Sequence, residues 1–319
     1  MRTYVLRRLL QLVPLLLAIA VLTFLLLKLA GGYTLPDDPR VTPQLIEAMR
    51  HRFGLDRPWL VQLGMYLENL VLHFDLGESF SLQRPVAAVL GECVLNTLLL
   101  ALAGAVVTWA LAIPLGVIAA ARRNTAVDRG LSVAAFLGLS VPEVVSGLLL
   151  LMFAARTGWF PAGGMRSLDW DAMAWPARVF DLLRHLALPA LVVGLVPLAG
   201  RMRQMRASLL DVLRLDYVTT ARAKGLGEGA VVWKHALRNA LNPMITLFGY
   251  TLGSLLSGSL VAEIIFSWPG LGRVTYEAIL ARDQYLVVGS VLMAAVMLVM
   301  GNLAADLLLV AADPRIRDD

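Results

Sequence analysis

The chain has 319 residues, of which 58% are hydrophobic and 16% are charged, and its formal net charge is +5. Soluble globular proteins carry roughly 25% charged residues, and the mean hydropathy of +0.72 indicates that lipid replaces water over much of the exterior. The single cysteine excludes an internal disulfide framework, and the four histidines lack the spacing of a metal site.

Six apolar segments are long enough to cross a bilayer, whose hydrocarbon core of about 30 Å requires roughly 20 residues of helix. The fourth segment is the shortest of the six. We therefore predict an all-α, polytopic membrane protein with six transmembrane helices, at 9–30, 94–121, 131–155, 185–200, 243–266 and 286–312.

The first apolar segment follows Arg2, Arg7 and Arg8 and resembles a signal peptide. Its apolar stretch exceeds the roughly 7 to 15 residues of a signal-peptide core, and no convincing small-residue cleavage site follows it. We predict that residues 1–30 form an uncleaved transmembrane helix whose N-terminus lies in the cytoplasm.

The polar segment 31–93 separates the first two predicted spans and contains five prolines. It is too long for a tight turn. The stretches 41–53 and 58–74 mix apolar and charged residues at helical spacing. We therefore predict a small ordered domain on the outer face, ahead of a core transmembrane domain at 94–312.

The loop 201–242 carries eight basic residues among apolar residues at helical spacing. Gly225, Gly227 and Gly229 interrupt that pattern within five positions. The pattern predicts a helix, a flexible break and a second amphipathic helix. Such a basic stretch could lie on anionic lipid headgroups, dock to a soluble partner, or form a solvated face.

The distribution of charge predicts which loops face the cytoplasm, because Lys and Arg accumulate on that side. With both termini inside, including the tail 313–319, the inner segments hold 16 basic residues and the outer segments hold 11. The acidic residues are more numerous in the outer segments than in the inner ones. The basic residues flank apolar helices without interleaved aromatic side chains, so no nucleic-acid partner is expected.

Three acids, Glu143, Glu263 and Asp306, lie within or at the ends of the predicted apolar spans. Ionisable groups in a membrane are costly, so such residues are expected to face the bundle interior, a watery cavity or a basic partner. Glu143 follows Pro142 near the middle of its span, and we predict that it lines a path for substrate.

The residue order of the basic loop resembles that of permease subunits of bacterial ATP-binding-cassette importers, in the dipeptide, oligopeptide and nickel branch. Thr219 and Thr220 stand where the broader family has Glu and Ala. Further matches lie at 96–98, 122–123, 235–240, 263–272 and 313–317. The matching loop residues are Asp216, Tyr217, Val218, Thr220, Ala221, Arg222, Ala223, Lys224, Gly225 and Leu226.

This resemblance implies a type I importer permease fold in a bacterial inner membrane, with a loop that forms a short coupling helix on a separate ATPase subunit. Ala221 and Ala223 would keep that helix slim, Gly225 would permit a turn, and Arg222 and Lys224 could pair with acids on the partner. Glu263, in the matched segment 263–272, would lie at an outer gate or meet a binding protein.

The resemblance also implies the partners. They are a second, related permease, two cytoplasmic ATP-binding subunits that hold ATP and Mg, an external solute-binding protein, and membrane lipid. The sequence contains no P-loop motif, so we expect no ATPase site and no cofactor in this chain. We expect transport of di- or oligopeptides, with a nickel chelate or glutathione as alternatives. An ion-coupled carrier and a membrane enzyme are rival functions that explain the loop less well.

Overall fold

The computed structural model describes residues 2–30, 56–245, 247–248, 251 and 259–312. These residues form helices and no β-strand, so the predicted all-α class is confirmed. The helices used below are α1 (Arg2–Leu29), α2 (Trp59–Leu72), α3 (Val86–Ala121), α4 (Ala126–Ser140), α5 (Glu143–Thr157), α6 (Trp175–Val212), α7 (Asp216–Ala223), α8 (Leu260–Ile265), α9 (Leu271–Leu280) and α10 (Gln284–Ala312).

Four of these helices are long and apolar enough to cross a membrane, namely α1, α3, α6 and α10. Helices α4 and α5 together form a fifth candidate span, which is bent. The predicted span 243–266 lies largely outside the described residues. The described part of the chain therefore contains four or five spans, and the number six stays a prediction.

The predicted span at 131–155 is not one continuous helix in the structure. Two helices, α4 and α5, occupy this region, and their axes differ by 94°. The break is at Val141, whose backbone is extended (φ −83°, ψ 119°). Proline restricts the preceding residue to extended conformations, so Pro142 explains why the chain turns here. Hydropathy alone does not reveal this bend, because the apolar run continues through it.

Two other predicted spans are longer in the structure. Helix α6 covers 38 residues, whereas hydropathy indicated 185–200. Its polar ends continue the helix beyond the apolar stretch. Helix α3 begins at Val86, before the predicted start at residue 94, and directly follows Pro85. Both differences arise because hydropathy reports the lipid-facing part of a helix, and a helix does not end where its apolar stretch ends.

One compact unit contains the described residues within 1–97 and 269–299. The α2 side chain Tyr66 lies against Phe24 of α1 and stacks on Tyr285 of α10, with 5.7 Å between the two tyrosine ring centroids. Asp283 is fully buried and accepts hydrogen bonds from the Ser79 hydroxyl and the Ser81 backbone. The stretch 58–74 therefore contains the predicted helix, while 41–53 lies outside the described residues.

The second compact unit contains the described residues within 98–268 and 300–319. Helices α3 and α6 cross at two glycines, and a Cβ on Gly194 would lie 2.7 Å from the carbonyl oxygen of Gly104. The Thr108 hydroxyl donates to the Gly194 carbonyl oxygen at 2.8 Å. Small residues allow such close approach of two backbones within a membrane. We call this contact the α3/α6 crossing.

Helix α4 is joined to α6 by an ion pair. Arg206 donates to both carboxylate oxygens of Asp128, each at 2.7 Å. Asp128 also accepts from the Asn124 backbone N–H, and its own N–H donates to the Thr125 hydroxyl that caps α4. The Asp128 side chain is 6% exposed and that of Arg206 is 28% exposed. This pair fixes the start of α4 beside the last turns of α6.

Candidate functional site

The predicted coupling residues form α7 and the turn that follows it. Thr220 donates its hydroxyl to the Asp216 carbonyl oxygen at 2.9 Å within the helix. After Lys224 the backbone of Gly225 is left-handed, with φ +80°. The Gly225 N–H donates to the Arg222 carbonyl oxygen at 2.9 Å and ends the helix. Glycine adopts this conformation without the steric cost that a Cβ carries.

Helix α7 is too short to be stable alone in water, since isolated helices below about 12 residues are marginal. Tertiary contacts supply the missing stability. Val218 is fully buried and Ala221 is 8% exposed, so these two residues form the inward face of α7. On its other side, Asn239 donates its side-chain amide to the Tyr217 hydroxyl at 2.8 Å.

The outward side of this region is a continuous exposed run, residues 222–230. Arg222 forms an ion pair with Glu228 at 2.7 Å, and the two side chains are 39% and 67% exposed. Exposed pairs of this kind contribute little to stability. Lys224 and Leu226 are also exposed. We call residues 216–230 the coupling segment. Its residues 222–230 are exposed, whereas its Val218 and Ala221 side chains are buried against the rest of the unit.

A second connection joins the chain after the coupling segment to α6. The stretch 228–240 is helical throughout and includes a π-helix, Val231–Ala236. Val231 and Ala236 are fully buried. The Ser208 hydroxyl of α6 donates to the Ala240 carbonyl oxygen at 2.9 Å. The coupling segment is therefore connected to α6 through packed helical contacts.

Glu143 lies elsewhere, at the first position of α5. It lines a cavity of about 300 Å³ between the α4 and α5 bend and α6. Its Oε1 atom is buried and has no hydrogen-bond partner among the described residues. None of the predicted coupling residues lines this cavity, so the structure does not bring the two predicted sites together.

Glu263 is fully buried in α8 and accepts a hydrogen bond from the Ser259 hydroxyl at 2.9 Å. It does not line the cavity at Glu143. Its backbone carbonyl accepts from the Trp268 N–H at 2.9 Å. Glu263 thus has no exposed surface in this structure, and its role at an outer gate stays a prediction.

Two of the matched sequence segments meet in the structure. Asn96 donates its side-chain amide to the Pro269 carbonyl oxygen at 2.8 Å, and the Leu271 N–H donates to the Thr97 hydroxyl at 2.7 Å. The residues 96–98 and 263–272 were recognised separately in the sequence. Their contact provides a structural reason for both patterns, because the side chains of one segment cap the backbone of the other.

Sequence reasoning missed the Asp128 and Arg206 pair and the Ser208 hydrogen bond. The first two residues are 78 positions apart and the Ser208 bond spans 32 positions. Neither interaction has a local sequence signal. The sequence shows only that Asp128 is a charged residue near the end of an apolar span, which does not identify Arg206 as its partner.

Two family models match the chain. Residues 112–318 match "Binding-protein-dependent transport system inner membrane component", and residues 1–101 match the N-terminal model of the same component. In fold, the chain is similar to the MetNI methionine ABC transporter in its inward-facing conformations. The TM-score is 0.58 at 16% identity, over 71% of this chain and 97% of that chain.

Curated relatives match over nearly the full length. The chain is 39% identical to the oligopeptide transport system permease protein AppB of Bacillus subtilis, over 99% of both chains. It is 38% identical to the di/tripeptide transport system permease protein DppB of Pseudomonas aeruginosa, again over 99% of both. The chain therefore belongs to the family of binding-protein-dependent transport system inner membrane components.

Proposed function

We propose that this chain is the permease subunit of an ATP-driven peptide importer, forming part of the translocation path and receiving force at the coupling segment. The proposal depends on one observation, which is that residues 222–230 are exposed while Val218 and Ala221 of the same segment are buried. An exposed surface fixed to a long helix is suited to transmitting movement from a soluble partner into the membrane.

The contacts of α7 support this role. A partner that pulls on Lys224 or Leu226 displaces α7, whose inward side chains Val218 and Ala221 are packed. Packed interfaces move as rigid bodies or switch between discrete arrangements, and they do not deform continuously. The displacement therefore reaches α6 through the Ser208 hydrogen bond to Ala240.

The partners in the proposal are two ATP-binding subunits that hold ATP and Mg, a second related permease, an external solute-binding protein and the surrounding lipid. The family description supports the binding protein. The exposed Lys224 of the coupling segment supports a partner with acidic groups, because charge complementarity guides docking. The predicted topology, with both termini in the cytoplasm, places the segment on the side where ATP is available.

Peptides are the proposed substrates because of the relatives. AppB is named for oligopeptides and DppB for di- and tripeptides, and both align with this chain from end to end. A nickel chelate or glutathione remains the alternative from the sequence, and neither relative reported above is named for these. An ion-coupled carrier is less well supported, because it gives no role to the coupling segment.

Affinity purification of the tagged chain from detergent-solubilised membranes, followed by mass spectrometry, tests the proposed assembly. We expect two ATP-binding proteins and a second permease to copurify. Proteoliposomes containing that complex and its binding protein should accumulate a labelled dipeptide when ATP is supplied to the subunits that bind it. Self-association without ATP-binding proteins, or uptake without ATP, would contradict the proposal.

A further inference from the structure

Among the described residues of the second compact unit, one carboxylate oxygen, Glu143 Oε1, lies buried in a cavity without a hydrogen-bond partner. The cavity at Glu143 has a volume of about 300 Å³. None of its described lining residues is Lys, Arg or His, so the lining supplies no positive charge to the Glu143 carboxylate. The lining residues are Ala134, Ala135, Gly138, Val141, Pro142, Glu143, Ser146, Val192, Leu195, Val196, Leu198 and Ala199.

An unpaired buried carboxylate oxygen costs free energy unless a hydrogen bond or a counter-charge compensates it. Glu143 stands in the first turn of α5, where the helix dipole favours a negative charge. The Glu143 Oε1 atom has no hydrogen-bond donor among the described residues. The arrangement is complementary to a cation that enters the cavity.

The chemistry of the lining restricts which cation fits. A metal ion in a protein takes several oxygen, nitrogen or sulfur ligands, and the other acidic, His and Cys side chains are absent from this described lining. An ammonium group is a better match because it has three donors and requires a single strong acceptor with weaker ones around it. Ser146, whose hydroxyl donates to the Glu143 carbonyl at 2.9 Å, retains lone pairs that can accept.

The size and walls of the cavity indicate what the ammonium group is attached to. A volume of about 300 Å³ is at the lower end of the range for small-molecule sites, so it accommodates the end of a short peptide. The walls at Ala134, Val192 and Leu195 are apolar. Such walls contact many side chains without distinguishing strongly between them.

The cavity lies at the bend of a candidate membrane span. The bend at Val141 and Pro142 separates α4 from α5, which together form that span. Irregular backbone within a span is tolerated where it is buried in protein or lines a cavity.

We propose that Glu143 binds the N-terminal ammonium group of a short peptide inside the membrane and so selects substrates with a free amino terminus. This inference rests on the proposed function, since it assigns a substrate group to the same transport path. The ammonium group donates to Glu143 Oε1, and the first side chain contacts the apolar walls.

The test uses the complete transporter in proteoliposomes with its binding protein. Uptake is compared for a dipeptide and for its desamino analogue, in which hydrogen replaces the amino group. Both are supplied at concentrations that saturate the isolated binding protein, so that delivery to the permease is equal. The variants are Glu143→Gln and Glu143→Asp, and Glu68→Gln on the exposed surface of α2 is the matched control.

We expect Glu143→Gln to lower dipeptide uptake about tenfold, as follows from losing a hydrogen bond to a charged group. Uptake of the desamino analogue by Glu143→Gln should differ less than about twofold from its uptake by the unmodified transporter. Glu143→Asp should restore part of the dipeptide uptake, and Glu68→Gln should alter neither substrate. This pattern separates recognition of the amino group from a general structural effect.

An equal loss for both substrates in Glu143→Gln would overturn the inference, because it would assign Glu143 to the fold. Unchanged uptake of both substrates would overturn it as well. These outcomes differ from a failure of the proposed function, in which the unmodified transporter itself takes up no dipeptide when ATP is supplied.

Discussion

The coupling segment and the α3/α6 crossing are parts of one compact unit, and they tolerate change in opposite ways. In the coupling segment every residue from 222 to 230 is exposed, and Gly225 determines the direction of the chain through its backbone angle. At the crossing, Gly194 is buried and its backbone leaves no room for a Cβ atom beside Gly104. Side-chain size therefore decides which substitutions the crossing tolerates. In the coupling segment, tolerance depends on backbone turn geometry and on charge.

The largest effect on stability is expected at the crossing. In Gly194→Leu the new side chain meets the backbone of α3, and overpacking of this kind costs about 3 kcal/mol. The thermal unfolding midpoint of the purified chain in detergent should fall sharply. Gly200→Leu is the matched control, because a Cβ there meets no atom within 4 Å. Equal midpoints for the two variants would contradict the comparison.

A smaller loss is expected from the ion pair that joins α4 to α6. Asp128→Asn removes the charge that pairs with Arg206, and we expect a cost of about 1–2 kcal/mol, less than for a fully buried pair because Arg206 is partly exposed. Thermal unfolding of the variant measures this loss. Asp211→Asn, at an exposed position of α6, is the control, and an equal shift in both would refute the assignment.

The smallest effect is expected within the coupling segment. Glu228→Gln breaks the exposed pair with Arg222, which contributes less than about 1 kcal/mol. The unfolding midpoint should stay close to that of the unmodified chain. Glu277→Gln, which breaks the exposed pair with Arg273, should behave alike. A shift as large as that of Asp128→Asn would show that the pair in the coupling segment stabilises the fold as much as the pair between α4 and α6 does.

Part of the fold was predictable, because a long apolar run indicates a membrane-spanning helix. The spans at 9–30 and 286–312 correspond to α1 and α10, and each run is nearly free of charge. The bend between α4 and α5 had a visible signal in Pro142. The bend was missed because the hydropathy of the segment stays high on both sides of that proline. The polar ends of α6 were missed for a related reason, since Arg201 and Arg206 continue a helix that has left the apolar region.

The candidate site was predictable in a different way. The coupling residues stand in one continuous stretch, so the order of residues 216–226 was sufficient to select them. The supporting contacts were not predictable, because Ser208 and Ala240 are brought together by the tertiary fold. Glu143 was selected as an acid in an apolar span, and the structure adds the cavity and the unpaired oxygen.

ATP-driven uptake by the Gly225→Glu variant tests most directly whether force enters at the coupling segment. A Cβ at φ +80° costs about 1–2 kcal/mol, and the added carboxylate beside Lys224 repels the acidic partner groups expected to meet that lysine. The account predicts normal insertion in the membrane and uptake reduced at least about tenfold, while Gly225→Asn, which accepts this backbone angle, retains most of its uptake. Full uptake by Gly225→Glu would contradict it.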